Sequence, residues 1–175
     1  PGLDEPALQV LRQDHERLER NRSVIGTPLR IGDRTYDRGL GTHSVGRLRI
    51  LSPRPIERLA AWVGVDRNDR TAGGAGSVTF AVVADGREVF RSEVLRGGDA
   101  AARLDAAAGG ARAIDLLVDD AGDGPACDHA DWADAAIVLD GGRTVFLDEL
   151  ASAPGFPEPR FPFSFLLGER ASDDL

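Results

Sequence analysis

The sequence predicts an all-β protein, an antiparallel sandwich or barrel of short strands preceded by one N-terminal helix. Three observations predict it. Apolar residues come in runs of strand length, such as Leu59 to Val65 and Val78 to Ala84. Gly, Asp and Pro punctuate the chain between those runs. Helical spacing of apolar residues occurs in one place, near the N-terminus.

Along the chain, Asp4, Glu5 and Pro6 make an acidic start with proline in the first turn. Leu8, Leu11, His15 and Leu18 then fall on one stripe, which predicts a helix over Pro6 to Arg20 ending near Asn21. Arg12, Arg17, Arg20 and Arg22 alternate with Glu16 and Glu19, as on a solvated helix face. From Ile25 the texture changes. Arg47 to Leu51 alternates, and Arg58 to Val65 is apolar and carries Trp62. Ser77 to Ala84, the turn Asp85-Gly86 and Glu88 to Arg91 read as a hairpin. Ala113 to Val118 and Ala135 to Leu139 are further strands, and Asp140-Gly141-Gly142 turns into Thr144 to Leu147. Many short strands with Gly-rich turns suit a sandwich or barrel.

The C-terminal stretch interleaves Pro154, Pro157, Pro159 and Pro162 with Phe156, Phe161, Phe163 and Phe165. Such a strap either packs across the sandwich or enters a neighbouring domain, because this much aromatic surface is costly in water. The expected organisation is an N-terminal helix or linker over 1–21, a sandwich over 22–150 and the strap over 151–175. The chain opens on Pro1 and contains no Met, which suggests a piece of a longer polypeptide.

At 175 residues and 42% apolar, the chain can bury a full core. A formal charge of −8 argues against nucleic acid, whose phosphates need a basic face. No apolar run reaches the length that spans a bilayer. Cys127 stands alone, so an intrachain disulfide is impossible.

Three segments carry chemically useful residues. In Tyr36 to Ser44, Gly39 and Gly41 flank Leu40 just before His43, a loop that either presents the imidazole or uses it to pin a turn. From Asp119 to Asp134 six aspartates fall within sixteen residues. They either gather oxygens for a cation such as Ca2+ or cap turns by accepting backbone N–H bonds. Trp132, inside that segment, is either a stacking platform for a sugar or a core residue at a strand start. Asp66, Asn68 and Asp69 form a third polar loop that either rims a pocket or makes an ordinary Asx-turn.

These segments resemble the NPCBM family, the family-51 carbohydrate-binding modules. YDRGLGTHS at Tyr36 to Ser44 resembles its glycine–histidine motif, and AAWVGVD at Ala60 to Asp66 its strand-and-Asp motif. GSVTFAVVADGREVFRS at Gly76 to Ser92 resembles the central hairpin, and VDDAGDGPACDHADWADAAI at Val118 to Ile137 the hallmark segment. They occur in the family's order across residues 22 to 140. The resemblance implies a jelly-roll β-sandwich appended to a secreted glycoside hydrolase, extracellular or periplasmic, that binds galactose-type glycans without catalysis. It implies His43, Trp132, Asp131 and Arg38 at the sugar, and Asp66, Asp123 and Asp128 at a structural Ca2+. The implied partners are a glycan and a catalytic domain in the same polypeptide. The alternative is a docking sandwich with no sugar affinity. The N-terminal helix lies outside the family pattern, and PFSFLLGERAS at Pro162 to Ser172 resembles the start of a hydrolase region.

An enzymatic reading is weaker. A hydrolytic zinc wants three protein ligands, and one of the three His, His15, falls on the expected helix. A pair of carboxylates at glycosidase spacing can arise by chance among so many aspartates.

Overall fold

The computed structural model describes residues 2–153. The strap from Pro154 onward lies outside the described residues. Thirteen strands follow in chain order: β1 (Ala7–Gln13), β2 (Glu19–Arg20), β3 (Leu29–Ile31), β4 (Arg34–Tyr36), β5 (Gly39–His43), β6 (Gly46–Val65) and β7 (Ser77–Ala84). Then come β8 (Arg87–Arg91), β9 (Leu95–Arg96), β10 (Ala102–Asp119), β11 (His129–Leu139), β12 (Thr144–Phe146) and β13 (Ala151–Ser152). One 3-10 turn at Leu147–Glu149 precedes β13. Among the described residues there is no α-helix.

The fold is the expected antiparallel sandwich of the jelly-roll class, and two long bent strands make it. The first half of β6 pairs with β1 and with the end of β10. Its second half pairs with β11 and with the start of β10. The chain turns the corner where Pro53 and Pro55 interrupt β6 and where the β10 register shifts between Ala107 and Ala113. Gly109 and Gly110 stand there at φ +62 and +81, a conformation that costs glycine nothing and an L side chain about 1 kcal/mol or more. Strands that switch sheets through bulges are how two layers fold over one core.

Within each layer the side chains alternate. Leu104, Ala106 and Ala108 of β10 point inward, as do Leu59, Ala61, Val63 and Val65 of β6. Phe80 of β7 meets Trp132 of β11 edge to face at 5.0 Å, so the two layers touch through aromatic rings. A smaller second cluster, Leu29, Ile31, Tyr36 and Ala133, sits where the β3–β4 hairpin covers the outer face of β11.

The expected N-terminal helix is not formed. Ala7–Gln13 is a strand in ladder with Gly46 to Leu51, and Ala7 and Leu8 enter the core. The physical reason is competition for backbone partners. A short helix is marginal alone, whereas the open edge of β6 offers a ladder and a buried slot for Leu8. Residues 19–20 likewise pair with Gly41 and Leu40, and the Arg20 guanidinium donates to the carbonyls of Leu147 and Asp148.

Candidate functional site

An open cleft of about 470 Å3 lies between the β3–β4 hairpin and the loop that follows β6. Backbone pairing joins its two walls: Ile31 bridges Asp66, and the Arg67 N–H donates to the Arg30 carbonyl at 2.6 Å. The loop is braced from within. Asn68 accepts the Arg70 N–H on its side-chain oxygen at 3.0 Å, and the Thr71 hydroxyl accepts the Asn68 N–H at 3.0 Å while donating to the Asp66 carbonyl. The Asx geometry that the sequence allowed here is therefore real, and it also rims a pocket.

The cleft is lined by Thr27, Thr35, Asp69, Arg30, Arg67 and Arg70, over Ile25 and Pro28, and the Thr27 hydroxyl is shared with that of Ser23 at 2.6 Å. Arg67 is paired with Asp33. The cleft opens to solvent, so these groups are hydrated when it holds nothing, and a polyhydroxylated ligand would exchange one set of hydrogen bonds for another.

Beneath the cleft lies a buried polar layer. Asp66, fully buried, accepts the Arg30 N–H at 3.1 Å and the Asn68 amide at 2.7 Å. The other Asn68 amide hydrogen faces His129 Nδ1 at 2.9 Å, so that nitrogen accepts and the ring proton sits on Nε2. Burial, and then the neighbouring His43, hold His129 below the ordinary imidazole value. Asp131 is 0% exposed, and among the described residues neither carboxylate oxygen makes a well-formed hydrogen bond. Burial pushes its carboxyl well above the usual range, and the adjacent Asp66 adds to the effect.

The residues expected at a sugar are not brought together. Trp132 is 1% exposed and packs on Phe80 in the core. Asp131, on the opposite face of β11, is sealed under the hairpin. His43 is 6% exposed and donates from Nδ1 to the Ser44 carbonyl at 2.7 Å. Its ring lies between His15 at 5.1 Å and His129 at 5.6 Å, the latter its partner across the β5–β11 ladder. Arg38 is held by Asp148 through two bonds of 3.0 and 2.9 Å, by Glu149 at 2.7 Å, and by stacking on Phe146 at 3.7 Å. This clamp ties the β4–β5 connection to the 3-10 turn. Arg38→Ala strands the nearly buried Asp148 carboxylate and should lower stability by about 1–3 kcal/mol, seen as an earlier urea midpoint at unchanged slope.

The three aspartates expected to hold Ca2+ do not converge either. Asp128 accepts the Ser44 hydroxyl at 2.6 Å and the Ser77 N–H at 2.9 Å, and Asp123 accepts the Ser77 hydroxyl at 2.5 Å. Asp66 serves the Arg30 and Asn68 donors described above. Among the described residues no three His, Cys, Asp or Glu side chains form a metal-holding group. The trio therefore does not fit as one ion site, and the aspartates of the 119–134 segment act largely as turn and strand pins. Burial raises the Asp128 carboxyl despite its hydroxyl and N–H donors.

The glycine motif is likewise a packing device. A Cβ on Gly41 would stand 2.3 Å from the Arg22 carbonyl oxygen and 2.6 Å from the Ser23 carbonyl carbon, which are backbone atoms unable to swing aside. The cleft residues missed by the motif reading, above all Arg30, Thr35, Arg67 and Arg70, belong to a hairpin and a loop that meet only after folding.

Comparison with known proteins bears on the same segments. The family model described as the NPCBM/NEW2 domain matches residues 3–138. A Renibacterium salmoninarum protein named as an endo-alpha-N-acetylgalactosaminidase is 33% identical over 110 residues, 63% of this chain and 7% of that protein. Alpha-1,3-galactosidase B of Akkermansia muciniphila is 31% identical over 166 residues, 89% of this chain and 20% of that enzyme. The chain thus spans a small fraction of the curated relatives it matches. The solved CBM51-2 and INT domains of Clostridium perfringens ZmpB, in complex with GlcNAc, superpose at a TM-score of 0.66 with 30% identity, over 71% of this chain and 28% of that one. A related structure from the same protein joins the M60 catalytic domain to CBM51-1 and CBM51-2, with 28% identity, a TM-score of 0.66, and coverage of 77% of this chain and 14% of that one. With its motifs, sandwich and family match in register over most of its length, the chain belongs to the NPCBM/NEW2 domain family of carbohydrate-binding modules.

Proposed function

We propose that this domain binds a glycan in the cleft between the β3–β4 hairpin and the 66–71 loop, and that it serves as the non-catalytic module of a larger secreted glycan-processing enzyme. The observation that carries the reading is the cleft itself: in a family of carbohydrate-binding modules, it gathers two threonines, an aspartate and three arginines on rigid backbone. The motif residues His43, Asp131 and Trp132 are buried and engaged in the fold, so they support the loop rather than meet the ligand. The curated relatives are named for hydrolysis of galactosides and N-acetylgalactosaminides, and the ZmpB module was solved with GlcNAc, which favours a hexose or N-acetylhexosamine. Among the described residues Asp69 is the one carboxylate lining the cleft, whereas glycoside hydrolysis uses two across the scissile bond. That favours binding without turnover.

A site this open should bind weakly, with a Kd on the order of millimolar, about −4 kcal/mol. Titrating the 15N-labelled domain with methyl galactoside and with GlcNAc tests the assignment. Amide shifts should concentrate in residues 25–35 and 67–70, and Thr35→Ala and Asp69→Ala should weaken them several-fold without moving the melting temperature. Shifts clustered around Arg38 or His43 instead, or none with any saccharide, would sink it.

A further inference from the structure

We infer that the glycan taken by this cleft is anionic, a sugar carrying a carboxylate or a sulfate ester; this rests on the cleft being the glycan site. The chain as a whole is acidic, at −8. The cleft inverts that balance, with Arg30, Arg67 and Arg70 against Asp69. Asp33 engages Arg67, yet among the described residues Arg30 and Arg70 make no ion pair with a carboxylate. Counting Asp33 with the lining leaves one excess positive charge at the surface of a concave site, where fields are focused, with the sealed Asp66 carboxyl beneath it.

A second observation points the same way. Among the described residues no aromatic side chain lines the cleft. Trp132 is in the core, and half-buried Trp62 is covered by the guanidiniums of Arg34 at 5.4 Å and Arg103 at 5.2 Å. A neutral sugar bound without an aromatic platform has hydroxyl hydrogen bonds alone to set against its loss of hydration. A planar guanidinium makes paired, charge-assisted bonds to a carboxylate or sulfate, stronger than those it makes to hydroxyls. Backbone bonds position both bases: the Arg30 N–H is held by Asp66 and the Arg70 N–H by Asn68, so the two guanidiniums project from braced backbone on opposite walls.

The test is a calorimetric or NMR titration of the whole chain with galactose, galactose 6-sulfate, galacturonic acid and N-acetylneuraminic acid, with inorganic sulfate as control, at low and high salt. At least one anionic sugar should bind about tenfold or more tighter than galactose, and added salt should erode that advantage. Arg30→Gln and Arg70→Gln should each remove most of it while the melting temperature holds, because both side chains are exposed. A sulfated sugar favoured over the carboxylates, or the reverse, identifies which anion the arginines read. Equal affinity for neutral and charged sugars, with shifts still in the cleft, would overturn the charge inference and leave the glycan site standing. Inorganic sulfate competing as well as galactose 6-sulfate would overturn it by showing an anion site indifferent to sugar. Silence of the cleft toward every saccharide would remove both readings.

Discussion

Asp131→Asn is expected to make the domain more stable at pH 7, by an amount on the order of 1–3 kcal/mol, the usual cost of a buried group without a partner. The gain should shrink toward pH 4. Asp131 is sealed, among the described residues its oxygens make no well-formed hydrogen bond, and its carboxyl is raised by burial and by Asp66. A raised carboxyl keeps its proton in the fold and releases it in the unfolded chain. Its stabilising contribution is therefore complete below the unfolded value of about 3.9 and is lost as pH rises, at up to about 1.4 kcal/mol per pH unit, until the folded value is reached. Asparagine carries no such dependence, and its amide can donate to Asp66. Urea unfolding of both proteins from pH 4 to pH 8 reads the effect as a difference, in which the titrations of His129 and Asp128 largely cancel. A variant that is weaker at every pH, together with a wild type stabilised by added Ca2+ and weakened by chelator, would instead give the carboxyl pair to a cation.

The depressed His129 runs in the opposite direction. A histidine held neutral in the fold contributes stability that is present above its unfolded value, about 6.5, and is lost as pH falls below it. In mildly acidic solution the two effects therefore offset each other in the wild type, with His129 weakening it as pH drops and Asp131 strengthening it.

Trp132→Ala should be the most damaging single truncation, at about 3–5 kcal/mol. That is a large share of the 5–15 kcal/mol a domain usually has. The ring spans the gap between the layers, 1% exposed and edge-on to Phe80. Among the described residues its indole N–H finds no acceptor, so Trp132→Phe, which keeps an aromatic ring and deletes the stranded donor, should cost markedly less. Chemical unfolding checks the stability order. A sugar titration of the folded alanine variant separates fold from binding, since an undiminished affinity is expected for a core residue. Selective loss of binding in a well-folded variant would return Trp132 to the ligand.

The parts of the fold legible in the sequence were those with local causes. The Ser77 to Arg91 hairpin was visible because Asp85-Gly86 suits a two-residue turn, and the structure has both at positive φ with Ala84 opposite Arg87. The sandwich was visible because inward and outward residues alternate on β6 and β10. The N-terminal segment misled because Leu8, Leu11 and Leu18 fit a helical stripe, and the choice went to a strand only when β6 supplied an edge.

The motif that identified the family proved to be mostly buried architecture. His43, Asp128 and Trp132 draw attention because each does a job in packing or hydrogen bonding that few other side chains can do. The cleft residues carry no such local signature. Arg30 and Arg70 are forty residues apart in sequence and are ordinary exposed arginines until the Ile31–Asp66 bridge sets the β3–β4 hairpin beside the loop after β6. Strand identity, turns and family were thus determined by the sequence itself, since propensity, alternation and close-packed glycines act between near neighbours or leave a recognisable pattern. Which polar residues share a cleft, which aspartates lie sealed from water, and which aromatic ring is spent on the core were decided only by tertiary structure, because those depend on long-range strand pairing and on the exclusion of water it brings.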